Sequence, residues 1–143
     1  MKLNSKSRYA VMALADIANF NKKYPVPLRD ISLRQNISLV YLEQIFLRLK
    51  KNNIVKSIRG TNGGYILSND PSQIKLSSIF SAVDEKVKQV QCKKESKKGC
   101  NGKSTKCITH YLWDELEVYI NDFFEKKNLG DLLKNNSETR ADR

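Results

Sequence analysis

A mainly α-helical fold with one small β-hairpin and a long terminal helix is what this sequence predicts, and three observations support it. Apolar residues recur at helical spacing in several separate segments, two β-branched stretches flank a Gly-rich turn, and a wide aromatic stripe runs along the last periodic segment. Together these describe a winged helix-turn-helix head followed by a long C-terminal dimerisation helix.

The first helix is expected from about Ser5 to Phe20, where Ala10, Ala13, Leu14, Ile17 and Ala18 form one apolar stripe. Pro25 and Pro27 break the chain after it. A short helix fits Leu28 to Gln35, a turn fits Asn36 and Ile37, and Ser38 is suited to cap a helix reaching about Lys51. Wound at about 100° per residue, that last helix puts Leu39, Leu42, Ile45, Phe46 and Leu49 on one side. Val40, Glu43, Gln44, Leu47 and Lys51 fall on the other. Such an outward set is either a solvated face or, in a recognition helix, the surface that meets base edges in the major groove.

The wing is expected from Ile54 to Ile58 and from Tyr65 to Leu67, joined by a turn whose glycines allow positive φ. Arg59 at its tip is placed to enter a minor groove or grip a phosphate. After Asn69-Asp70-Pro71, a short strand is expected at Ile74 to Leu76 and a helix near Ser78 to Val83. Gln91 to Lys106 is polar and Lys-rich without apolar periodicity, which describes a loop that needs a constraint to be ordered.

The last long helix is expected from about Thr109 to Lys126, roughly 27 Å at the α-helical rise. Leu112, Trp113, Leu116, Tyr119, Ile120, Phe123 and Phe124 cover an arc of roughly 140°, opposite Asp114, Glu117, Asn121 and Glu125. So wide a stripe exceeds what one small head can cover, and Leu112, Leu116, Tyr119, Ile120 and Phe123 are the expected dimer contacts. The resulting division is a head over 1–76, a connecting helix over 77–91 and a metal-binding loop over 92–110. The dimerisation helix and a short C-terminal helix then occupy 109–134, before a disordered tail over 135–143.

The net charge of +11 on 143 residues is unevenly spread. Residues 1–60 carry twelve Lys/Arg against three acids, whereas residues 111–143 carry five against eight. The basic half suits a polyanion and the acidic arm would be repelled by phosphate, so charge points to a nucleic acid, or else to a lysine- and asparagine-rich codon bias, and the helix-turn-helix makes double-stranded DNA the expected partner of the head. No apolar run approaches a membrane span, and Asp16 interrupts the N-terminal stretch where a signal peptide needs an unbroken apolar core. A cytoplasmic location is expected. No metalloprotease, dithiol or nucleophile-elbow motif is present, and Gly102-Lys103-Ser104 lacks both the leading glycine and the preceding strand of a phosphate loop. Enzymatic activity is therefore not expected.

Cys92, Cys100, Cys107 and the single histidine, His110, form a C-x7-C-x6-C-x2-H series. Three thiolates and one imidazole are a complete four-ligand set, with Cys107 and His110 one helical turn apart. The donors suit zinc or an iron-sulfur cluster, and spacing alone slightly favours zinc. Lysines 93, 94, 97, 98, 103 and 106 either offset cluster charge or are solvated loop residues.

SKSRYAV (5–11), PVPLRDIS (25–32), ISLVYLEQIFLRLKKNNIV (37–55), RGTNGGY (59–65), AVDE (82–85) and CITHYLW (107–113) together make the chain resemble one family over about residues 1–134. It is similar to the iron-sulfur cluster regulators of the IscR type, within the Rrf family of winged-helix repressors. The resemblance implies a homodimer with one 2Fe-2S cluster per subunit that represses cluster-assembly genes when the cluster is present; the alternatives are a related winged-helix regulator sensing nitric oxide or iron, or a zinc-stabilised DNA-binding protein. Cys92, Cys100, Cys107 and His110 would be the ligands. The expected DNA-binding set is Lys6, Ser38, Val40, Tyr41, Glu43, Gln44, Arg59 and Gly60, with Glu43 telling operator classes apart by exclusion. Cluster-donor proteins are a further expected partner class. Val40 departs from the family's small hydroxyl residue, replacing a hydrogen bond with apolar contact, and Leu47 is likewise apolar. Both imply a drifted operator sequence.

Overall fold

Helix α1, Ser5–Phe20, sets the frame of the computed structural model, which describes residues 5–20, 24–83 and 107–134. Its apolar stripe is buried as the periodicity predicts: Ala10, Ala13 and Leu14 are inaccessible, and Ile17 and Ala18 nearly so. The small alanines let α2, Leu28–Gln35, and α3, Leu39–Lys51, pack against it.

The turn between α2 and α3 is built locally. Asn36 adopts the left-handed conformation, φ 54°, which asparagine tolerates better than most residues, and its N–H donates to the Ser32 carbonyl. The Ser32 hydroxyl donates to the Ile37 carbonyl at 2.5 Å, and the Ile37 N–H returns to Ser32 O at 3.2 Å. Ser38 does stand at the N-cap of α3, but its side chain makes no capping hydrogen bond. Leu42, Ile45, Phe46 and Leu49 then anchor α3 in the core, the set that helical spacing singles out. Leu39 is only half-buried.

Strands β1, Val55–Ile58, and β2, Gly64–Leu67, form an antiparallel hairpin in which Val55 faces Leu67 and Ile58 faces Gly64. A link that the sequence did not reveal ties this wing to the α1–α2 connection. Val26 and Tyr65 exchange both backbone hydrogen bonds at 2.9 Å. The pairing stops at a single residue because the next residue that could bond the wing, Leu28, already begins α2. Gly64, at φ 157°, is required there: any Cβ would run into the Val26 backbone.

The strand expected at Ile74 to Leu76 is not formed. Instead, a 3-10 turn at Pro71–Gln73, capped by Asp70, leads to a lone antiparallel bridge between Lys75 and Asn128, and helix α4, Leu76–Ala82, starts at once. The ladder ends because its partner is only the short link after α5, the helix His110–Lys126. That link offers the Lys127 carbonyl to Leu76 N–H, and the Leu129 N–H to Ile74 O, before residues 129–134 turn helical. α4 also begins two residues earlier than Ser78. Ile79, Phe80 and Val83 join the same core as α1 and α3, and Leu129 closes it from the far end of the chain.

The connecting-helix residues beyond Val83, the whole of segment 84–106 and the tail from 135 lie outside the described residues. No described helix is long and apolar enough to cross a membrane.

Candidate nucleic-acid interface and metal-ligand pair

The outward face of α3 follows from its inward one. With Leu42, Ile45, Phe46 and Leu49 buried, Val40, Glu43, Gln44 and Leu47 must point away from the core, and all four are exposed. Ser38 is exposed one residue ahead of the helix. Tyr41 has a mixed role: half-buried, its ring meets Tyr9 of α1 edge-on at 5.6 Å and helps seat α3. Lys6 is half-buried in the first turn of α1.

Arg59 and Gly60 are exposed at the hairpin tip, where the Gly63 N–H closes onto Gly60 O at 3.0 Å and Gly60 takes φ 123°. One contact ties the hairpin to α3 and another closes its base. Tyr65 packs edge-on against Phe46 with centroids 4.9 Å apart, and Ser68 N–H bonds Ile54 O at the base of the hairpin. Helix and wing are thereby held together, an arrangement that suits groove recognition.

A positioning cluster in the head escaped the sequence reading. Asp16, nearly buried on α1, receives Arg34 Nη2 at 2.6 Å, Arg34 Nε at 3.1–3.2 Å and Gln35 Nε2 at 2.7 Å. The guanidinium also lies 3.9 Å from the centroid of the Phe20 ring. This clamp locks α2 to α1 and so sets the platform from which α3 projects. The available signal was Asp16 itself, an acid inside an otherwise apolar helical stripe, where a charge survives only if paired. A second brace comes from Arg48 and Asn52, which donate to the Val83 and Ala82 carbonyls at 3.3 and 3.5 Å.

Of the four expected metal ligands, Cys92 and Cys100 lie outside the described residues; Cys107 and His110 lie within them. His110 opens α5, and its N–H donates to Cys107 O at 3.0 Å, so the two donors sit on one turn and both are half-buried. Cys107 Sγ is 3.6 Å from Thr109 Oγ1, which also accepts Trp113 Nε1–H at 3.2 Å. A thiol and an imidazole at a helix N-terminus, where thiolate is favoured, fit a soft metal or cluster in their chemistry. Among the described residues no larger group of metal-ligating side chains occurs.

Among the described residues, α5 docks along one edge. Phe124 meets Phe80 of α4 at 4.4 Å, and Glu125 accepts from Lys75 Nζ at 2.6 Å and Ser77 Oγ at 2.7 Å. Asp114 and Glu117, expected on the solvated side, are half-buried toward this edge, as is Ile120. Leu112, Leu116, Tyr119 and Phe123 remain exposed, with Trp113 beside them.

A family model described as an iron-dependent transcriptional regulator, Rrf2, matches residues 3–135. The chain is 49% identical to the HTH-type transcriptional regulator IscR of Escherichia coli O1:K1 / APEC, covering 94% of this chain and 82% of that protein. Against the IscR of Sodalis glossinidius the identity is 47%, over 94% and 80%. Among solved structures, T. potens IscR superposes with a TM-score of 0.78 at 31% identity, over 97% and 90% of the two chains. CymR, described as the global cysteine regulator of B. subtilis, gives 0.77 at 26%, over 92% and 95%.

Proposed function

This chain belongs to the Rrf2 family and is a DNA-binding transcriptional regulator, and we propose that it works in the cytoplasm as a homodimer that represses cluster-assembly genes in response to a 2Fe-2S cluster. Cys92, Cys100, Cys107 and His110 would hold one cluster per subunit. Bound there, a cluster would supply an oxidisable, removable link between the 92–106 segment and the start of α5.

The observation that supports the reading is the pairing of two features on one helix. Soft donors sit at the head of α5, and a bare apolar stripe of Leu112, Leu116, Tyr119 and Phe123 begins within its first turn. Whatever fastens Cys107 and His110 also fastens the element proposed to join two heads. Glu43, Gln44 and Arg59 then read the duplex, Glu43 by rejecting groove edges that present acceptors or phosphate to its carboxylate.

Anaerobic purification followed by absorption spectroscopy and iron, sulfide and zinc analysis tests the assignment. Coloured protein with iron and acid-labile sulfide in equal amounts is expected, with the colour lost in Cys107→Ala and His110→Ala. Colourless protein holding equimolar zinc would overturn the cluster while leaving the DNA-binding head intact.

A further inference from the structure

Val40 is 64% exposed in the first turn of α3. Nothing in the fold calls for a valine there: it adds nothing to the core, and a branched Cβ on an exposed helical site is a poorer helix former than alanine. Its outward direction is fixed, because Leu42, Ile45 and Phe46 are buried on the other side of the helix.

Glu43 and Gln44 follow Val40 by three and four residues, so all three are neighbours on one face. The rise from Val40 to Glu43 is about 4.5 Å, comparable with the roughly 3.4 Å step between stacked base pairs. A helical valine holds essentially one χ1 rotamer, so its methyl groups are presented with little freedom left to lose. The apolar feature of the major-groove edge is the 5-methyl group of thymine. Leu47, exposed two turns further on, is less well placed, since recognition helices reach the bases with their N-terminal residues.

We propose that Val40 reads the 5-methyl group of a thymine within about one base step of the base edge met by Glu43. An ionised Glu43 only accepts hydrogen bonds and tolerates the cytosine amine, so the pair would select a thymine beside a cytosine. The inference rests on α3 being the duplex-reading helix.

The test uses duplexes that the full-length chain itself selects from a randomised library. Each thymine is replaced singly by deoxyuridine, which removes only the methyl group. Affinities are measured by fluorescence anisotropy for the wild type, Val40→Ala and Leu47→Ala, with circular dichroism confirming helix content. At one thymine per half-site the replacement is expected to weaken wild-type binding about fourfold, the scale of one buried carbon group. Val40→Ala should bind the thymine duplex as weakly as the wild type binds the deoxyuridine one and be indifferent to the exchange, while Leu47→Ala keeps the full effect. Wild-type binding that ignores every replacement, or sensitivity that survives in Val40→Ala and vanishes in Leu47→Ala, would overturn the assignment to Val40. Failure to enrich any duplex would overturn the DNA-reading role along with it.

Discussion

The inward faces of α1 and α3 place Ala10, Leu14, Leu42, Phe46 and Leu49 fully out of solvent, whereas α5 buries no residue although it holds Leu112, Trp113, Leu116, Tyr119, Ile120, Phe123 and Phe124. The head, with twelve cations against three acids in residues 1–60, shares a closed core with α4 and Leu129 and turns charge outward. The arm, acidic and aromatic, leaves its apolar face open. A single subunit thus satisfies one region and not the other, which is the condition for stability and assembly to be separable by mutation.

Phe46→Ala should break the head most severely. It removes a fully buried ring that also supports Tyr65 of the wing, and about 3–5 kcal/mol of unfolding free energy should be lost in urea titrations. Arg34→Ala leaves the Asp16 carboxylate buried with Gln35 alone, and a loss of about 3 kcal/mol is expected from the same measurement.

The arm should respond in the opposite manner. Leu112→Asp combined with Tyr119→Asp should halve the mass seen by light scattering and weaken duplex binding on the order of 100-fold, through lost bivalency, with the head's unfolding transition kept. An unchanged mass would erase the distinction between the two regions.

The smallest effect lies where they touch. The hydrogen bond from Lys75, then that from Ser77 and the Lys75 charge, hold Glu125 below the usual carboxylate value. A lowered carboxylate stabilises the folded state above its unfolded value, and that contribution fades as pH falls through the folded one. Both partners are solvated, so the gain is slight. Carbon-detected titration should find the Glu125 midpoint low in the wild type and higher in Lys75→Ala.

Local signals made most of the head legible. The spacing of Leu42, Ile45, Phe46 and Leu49 gave α3 its inward face, Pro25 and Pro27 ended α1, and the glycines around Arg59 marked the wing. What stayed hidden depends on partners distant in the chain. Asp16 and Arg34 are 18 residues apart, and Ile74 to Leu76 read as a strand because its β-prone residues do not reveal that only Asn128 waits opposite. A helical wheel gives the width of the α5 stripe but not which edge meets α4, so Phe124 and the acids Asp114 and Glu117 were sorted only by packing. Of the Cys/His series that donor type and spacing single out in the sequence, the described residues include only Cys107 and His110, on one turn at the start of α5; Cys92 and Cys100 lie outside them.

The proposed coupling of head to arm through Cys107 and His110 is tested most directly by comparing duplex affinity of anaerobically purified protein with that of the same protein after treatment with a chelator. The account predicts that at least one selected duplex is bound with clearly different affinity by the two forms, and that His110→Ala behaves as the chelator-treated form does. Equal affinity of both forms for every selected duplex would contradict it.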